Sequence, residues 1–223
     1  MNKTYPLFEK VRGDHDALVY IREQNQAMQA LHYTEHSLPH VGIVTSRTAY
    51  ILEALDFDEH TVDLALTAAW LHDIGNIVNR VDHSQSGALM AFHIMNRLGF
   101  SAEDIAPIIA AIGNHDEGYG VPVSPMSAAL ILADKSDVRR SRVQEPDESD
   151  YDIHDRVTFS VTESSLSIDR EAHSISLELT IDTALSGVGD YFEIFMDRMR
   201  LCRRAAETLG LTFHLVINGQ IMM

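Results

Sequence analysis

The spacing of apolar residues changes once along this chain, and that change limits the folds open to it. Up to about Arg142 they recur at the three-to-four residue spacing of a helix with one buried face; beyond it they alternate, as in half-buried strands. Asp14 can cap a helix running to about Tyr33, with Leu18, Ile21, Met28 and Leu31 as its stripe. Ser37 can cap the next, with Pro39 in its first turn, where a missing N–H costs nothing, and Val41, Val44, Thr48, Ile51, Leu52 and Leu55 on its face. A third helix starts near Asp58, passes Val62, Leu66 and Trp70, and stops near Gly75. A fourth spans about His83 to Leu98, ended by Gly99. Ser101 with Asp104 forms a capping-box pattern for a fifth that ends near His115. The last runs from about Ser124 to Val138.

Val143 to Asp155 is polar and acidic, contains Pro146, and reads as a linker. After it, Val157, Phe159 and Val161, then Ile175, Leu177, Leu179 and Ile181, predict a hairpin. A helix follows over Gly187 to Gly210, with Tyr191, Phe192, Phe195, Met199 and Cys202 on one face, and Leu211 to Ile217 returns as a strand. The expected fold is therefore mainly α: a helical domain over residues 1–142, a linker over 143–155, and a small ββαβ element over 156–223. Such an element buries little by itself. It is expected to pack on the helical part or on a second copy of the chain, as in a homodimer.

Formal net charge is −16, from 17 basic and 33 acidic residues. That surface repels nucleic acid backbones and anionic membranes, so non-specific nucleic acid binding is not expected. It also repels a free phosphate compound, unless local positive charge offsets the field, and a bound metal ion supplies such charge. There is one cysteine, Cys202, and so no internal disulfide. No apolar run is long enough to span a bilayer, and Met1 to Lys10 has no stretch of signal-peptide type; a cytoplasmic location is expected.

Polar residues gather at the predicted helix ends. His40 opens the second helix, His72 and Asp73 end the third, His83 opens the fourth, His115 and Asp116 end the fifth, and Asp134 follows the apolar run Ala128 to Ala133. Helix ends that converge at one end of a bundle can build a metal site. Imidazole with carboxylate suits a borderline divalent ion, and a carboxylate such as Asp73 can bridge two. Such a cluster lowers the pKa of a bound water and presents hydroxide to phosphorus at neutral pH. Any one of the 12 histidines is more often a surface or capping residue, and His32, His60, His93, His154, His173 and His214 are assigned there. Asp134 resists that reading, because burying an unpaired carboxylate costs several kcal/mol.

His40 in His-Val-Gly-Ile-Val, the Leu71-His72-Asp73-Ile74-Gly75 stretch and Asp134 in Leu-Ala-Asp-Lys resemble the ordered pattern of the HD-domain metal-dependent phosphohydrolases. His83 and His115 match the two further histidines of the multi-metal members, a version similar to the bacterial subgroup that cleaves diadenosine tetraphosphate. The resemblance covers about residues 30–140. It implies an HD-type helical bundle in which His40, His72, Asp73 and Asp134 hold one divalent metal ion and Asp73 bridges to a second, held with His83 and His115. Iron, manganese, nickel, cobalt, zinc and magnesium all remain open. Many members carry lysine where this chain has Asn76, and Gly118-Tyr119-Gly120 lacks the proline of the Gly-Tyr-Pro signature found in cyclic-dinucleotide phosphodiesterases.

The expected activity is hydrolysis of a phosphate ester or anhydride, in a nucleotide or another small phosphorylated metabolite, by metal-bound hydroxide. Asp73, Lys135 and Asp116 are the expected catalytic residues. His36, Asn76, Arg139 and Arg140 are placed around the substrate or behind the ligands. His36 precedes His40 by four residues, and His40 is preferred as the ligand because Val44 and Thr48 continue the helical stripe from it. Two rival readings are a nucleotide-sensing binding module and a di-iron oxygenase of the same superfamily.

Overall fold

Local signals set most of the helix starts. In the computed structural model, which describes residues 3–223, α2 (His15–Ala30) begins where the Asp14 carboxylate accepts the Ala17 N–H. Asp58 caps α4 (Glu59–Leu71) through the Thr61 N–H, and Ser101 caps α6 (Ala102–Gly113) through the Asp104 N–H. α3 (Leu38–Ala54) starts with Pro39 in its first turn; Ser37 makes no capping bond and instead gives its hydroxyl to Glu35. α5 covers His83–Arg97, with Gly99 just past its end in the left-handed conformation, and α7 covers Pro125–Lys135. A short first helix, α1 (Pro6–Arg12), was not foreseen.

Two details differ from expectation. α2 buries Ile21 and Met28 of the predicted stripe, but Ala17 and Gln24 complete its inner face in place of Leu18 and Leu31, and Leu31 is 54% exposed. α4 stops at Leu71, and the chain tightens into a 3-10 turn over Ile74–Ile77 that contains Gly75. Gly75 is not a helix stop. A Cβ there would lie 2.0 Å from the His83 carbonyl oxygen and 2.4 Å from the Gly87 nitrogen. Glycine lets the turn after His72-Asp73 press directly onto the start of α5.

α7 carries buried residues on every side from Met126 to Ala133, the signature of a helix at the centre of a bundle. It packs against α3, α4, α6 and α9. The predicted first strand is corrected. Residues Ile153–Ser160 form α8, started by Asp152, whose carboxylate accepts the Asp155 N–H, and β1 begins only at Val161. The alternation of Val157, Phe159 and Val161 coincides with a capped helical turn that buries Val157, Thr158 and Ser160.

β1 (Val161–Asp169) and β2 (Ser174–Ile181) form an antiparallel hairpin. α9 (Val188–Thr208) then crosses over to β3 (Thr212–Ile217), which pairs parallel to β2, and the two-residue β4 (Gln220–Ile221) closes a sheet of order β1-β2-β3-β4. Ile175, Leu177, Leu179, Phe213, Leu215 and Ile217 are buried. α9 lies against β3 on one side and α7 on the other, so the C-terminal element shares one core with the bundle. The acidic stretch is anchored too: Gln144 donates to the Tyr33 carbonyl and Glu145 pairs with His32. All-α thus describes the bundle alone. Among the described residues no helix is long and apolar enough to cross a membrane.

Candidate metal centre

His72 and Asp73 leave the end of α4 at the point where α3, α5, the loop after α6 and the end of α7 converge. The two oxygens of Asp73 face different groups. Oδ2 lies 3.5 Å from His40 Nε2, 3.2 Å from His72 Nε2 and 4.0 Å from His36 Nε2. Oδ1 lies 3.5 Å from His83 Nε2 and 3.6 Å from His115 Nε2. Asp134 Oδ1 closes the first group, 3.5 Å from His40 Nε2 and 3.9 Å from His72 Nε2.

Each imidazole is fixed from behind through Nδ1. His40 donates to Asp137 Oδ2 at 2.8 Å, His72 to the Ala69 carbonyl at 2.8 Å, and His115 to the Ile112 carbonyl at 2.7 Å. His83 Nδ1 lies 3.0 Å from the Arg80 carbonyl and His36 Nδ1 2.5 Å from the Thr34 carbonyl. In the neutral ring the proton sits on Nδ1, and Nε2 then carries the lone pair and points inward. The His40 and His72 Nε2 atoms are buried and have no hydrogen-bond partner. A buried, partnerless ring nitrogen is costly unless something binds it. His40, His72 and Asp134 can hold one metal ion, and His72, Asp73 and His115 present a second set of converging donors. The residues fit a divalent metal centre.

The electrostatics agree. Burial by itself would raise the Asp73 carboxyl, but His72, His115 and His40 overcome it and hold the group well below the usual carboxylate range. Asp134 behaves the same way, with Lys135 and His40 outweighing burial. Burial and Arg142 oppose a charge on His40, yet Asp134, Asp137 and Asp73 raise it to about 9. Burial and the neighbouring His115 lower His83 to about 4. Burial lowers His36 well below its ordinary value.

The other predicted residues are placed differently from one another. Asn76 is buried and donates its amide to Asp73 Oδ1 at 3.1 Å, so it steadies the shared carboxylate. Asp116 flanks the second group, 3.9 Å from His83 Nε2. Lys135 is buried between Asp134 Oδ2 at 2.8 Å and Glu117 Oε2 at 2.6 Å. Arg139 and Arg140 do not line the cavity above the centre. Arg139 is bound to Asp137 at 2.6 Å, and Arg140 donates to the Phe159 carbonyl and stacks on that ring.

That cavity, of about 440 Å³, holds His36, Asp73, His83, His115, Asp134 and Lys135 in its wall. It is also lined by Arg142, one of the basic residues that follow Asp134 in the sequence, and by Arg80, Glu117, Asp137 and Arg198, none of which the sequence singled out as a site residue. His32 and His154, assigned to the surface, stand at it as well. Glu117 directly follows His115-Asp116, and Asp137 lies three residues after Asp134; closeness to the motif was the available signal. Arg198, far along the chain on α9, gave none.

A helical bundle with histidines and aspartates meeting at the centre of its helix ends defines a class of metal-binding domain. Residues 38–157, more than half of the chain, match the HD domain family, and the chain belongs to that family. It is 28% identical over 152 residues to an uncharacterized protein of Methanocaldococcus jannaschii. That match covers 57% of this chain and 58% of the relative, so the chain spans less than two thirds of its length. A solved structure of a predicted HD superfamily hydrolase from an uncultured Thermotogales bacterium is 26% identical, with a TM-score of 0.44 over 56% of this chain and 67% of that one.

Proposed function

We propose that this protein is a metal-dependent phosphohydrolase that cleaves a phosphate ester or anhydride in a nucleotide or similar small metabolite. The observation that carries the reading is the divided Asp73 carboxylate, with His40 and His72 facing one oxygen and His83 and His115 facing the other. A carboxylate so placed suits two ions held side by side. Divalent ions bound there supply Lewis acidity toward phosphoryl oxygens and lower the pKa of a water.

The chain's own residues do the rest. Asn76 holds the Asp73 carboxylate in place. Lys135, paired to Asp134 and Glu117, puts positive charge beside the first group and supports charge building on a phosphoryl oxygen. Arg80, whose guanidinium reaches Asn76 at 3.2 Å and sits over the Tyr33 ring at 5.8 Å, brings a cation to the cavity wall. A cavity of about 440 Å³ suits a small metabolite, nucleotides included.

The test joins metal content to turnover. Elemental analysis of wild type should find about two equivalents of a divalent ion, and Asp73→Ala should lose them. The loaded wild type should release inorganic phosphate from members of a panel of nucleotides and phosphate monoesters. Loaded protein that releases none, or folded metal-free Asp73→Ala that remains fully active, would sink the reading.

A further inference from the structure

Arg198 belongs to α9, beyond the residues that match the HD domain family, yet it lines the cavity beside Glu117, Lys135 and Asp134. Its Nε donates to Glu117 Oε1 at 2.9 Å, and its guanidinium carbon lies 4.5 Å from the Phe195 ring centroid. Glu117 and Phe195 thus hold the group on two sides. Among the described residues its Nη1 and Nη2 make no hydrogen bond, and the side chain is 26% exposed. By contrast, Arg142 spends its guanidinium on the Glu35 and Asp137 carbonyls, and Arg139 and Arg140 are committed outside the cavity.

The charges around it form a row. Asp134 Oδ2 meets Lys135, Lys135 meets Glu117, and Glu117 meets Arg198. Lys135 and Arg198 outweigh the burial of Glu117 and keep it anionic. Asp134 turns its other oxygen to the metal centre, where its charge would be shared with a bound ion. The row is neutral by count, two carboxylates against two cations, so charge that Asp134 gives to a bound ion would leave Arg198 cationic toward the cavity, in a chain whose net charge is −16. α9 is also fixed to the loop after His115: Arg204 donates to the Gly120 carbonyl at 3.2 Å and Thr208 to the Pro122 carbonyl at 3.4 Å. A guanidinium braced on a rigid helix, with its outer nitrogens free, is organised for a planar pair of anionic oxygens.

We propose that Arg198 binds a phosphoryl group of the substrate, which makes the C-terminal element a working wall of the site rather than an appendage. The inference rests on the phosphohydrolase reading. It is tested on the full-length chain loaded with manganese, with inorganic phosphate as the calorimetric probe and KM and kcat measured on a panel substrate. Arg198→Met should keep its metal content and lose about 10- to 100-fold in phosphate affinity, with the loss mostly in KM. Arg198→Lys, which keeps the charge but not the fork, should fall between and decides the matter if the methionine variant does not fold. Unchanged phosphate affinity in either folded variant overturns the role of Arg198 and leaves the hydrolase reading intact. Loss of bound metal together with phosphate in Arg198→Met also overturns it, since the residue then only supports the ion row. A wild type that neither binds phosphate nor releases it from any ester overturns both.

Discussion

Nδ1 of His40 lies 2.8 Å from Oδ2 of Asp137, and neither side chain is exposed to solvent. Asp137 fixes both the tautomer and the tilt of the ring, which leaves Nε2 aimed between Asp73 and Asp134. Burial would raise the Asp137 carboxyl, but the bond from His40, the charge of Arg142 and the bond from Arg139 at 2.6 Å outweigh it and keep the carboxylate ionised and in place. A carboxylate behind a ligating imidazole raises its basicity and removes its rotational freedom. Asp137→Ala should therefore fold and lose about 10- to 100-fold in affinity at the first metal position. Competition with a fluorescent chelator measures this; wild-type affinity would show that His40 needs no partner.

The two sides of Asp73 should be separable. His83→Ala and His115→Ala remove donors that face Oδ1, while His40 and His72 on Oδ2 stay intact. Each variant should keep one ion and lose the other, whereas Asp73→Ala should lose both. Metal-to-protein ratios by elemental analysis distinguish the cases. Full occupancy in the His83 and His115 variants would leave a single ion on the His40 side.

The two groups should also differ in their response to pH. Without metal, His40 titrates at about 9 because three carboxylates outweigh burial and Arg142, so at pH 7 its ring holds a proton that metal must displace. His83, lowered to about 4 by burial and by His115, is already neutral at that pH. Raising the pH from 6 toward 9 removes the competing proton from His40, so affinity at the His40 group should rise over that window, and the His83 side should contribute no release. Calorimetry at pH 7 in buffers of different ionisation enthalpy should detect proton release in wild type and in His83→Ala. Release that disappears in His83→Ala would reverse the assignment.

What the sequence disclosed follows from how local each signal is. The caps at Asp14, Asp58 and Ser101 act within three residues, so these helix starts are visible without tertiary knowledge. The ordered histidines and aspartates are visible because each stands at a helix end and carries one chemical role. Asp152 is an equally local cap, but the alternation of Val157 and Phe159 beside it has the period of a strand, so the sequence masks α8. The partnership of Asp137 with His40 spans 97 positions, and that of Arg198 with Glu117 spans 81. Nothing in the spacing of either pair reports it; the packing of α3 on α7, and of α9 on α7 and the loop before it, brings them together.

Gly75 offers a test that separates space from backbone freedom. A methyl group there would meet the His83 carbonyl oxygen at 2.0 Å and the Gly87 nitrogen at 2.4 Å, both backbone atoms that cannot swing aside. Gly75→Ala must push the turn carrying Asp73 and Asn76 away from α5, which carries His83. Forcing a methyl into packed surroundings costs about 1–3 kcal/mol, and here the same shift should pull the two sides of the metal centre apart. Gly42 provides the control. It lies inside α3, and a Cβ added there meets nothing within 4 Å. Gly42→Ala should stabilise by up to about 1 kcal/mol through helix propensity alone. Thermal melts of the two variants, with and without added metal, should therefore move in opposite directions, and only Gly75→Ala should lose the stabilisation that metal gives. A Gly75→Ala protein that melts and binds metal like wild type would mean that the contact between the turn and α5 is looser than the structure shows.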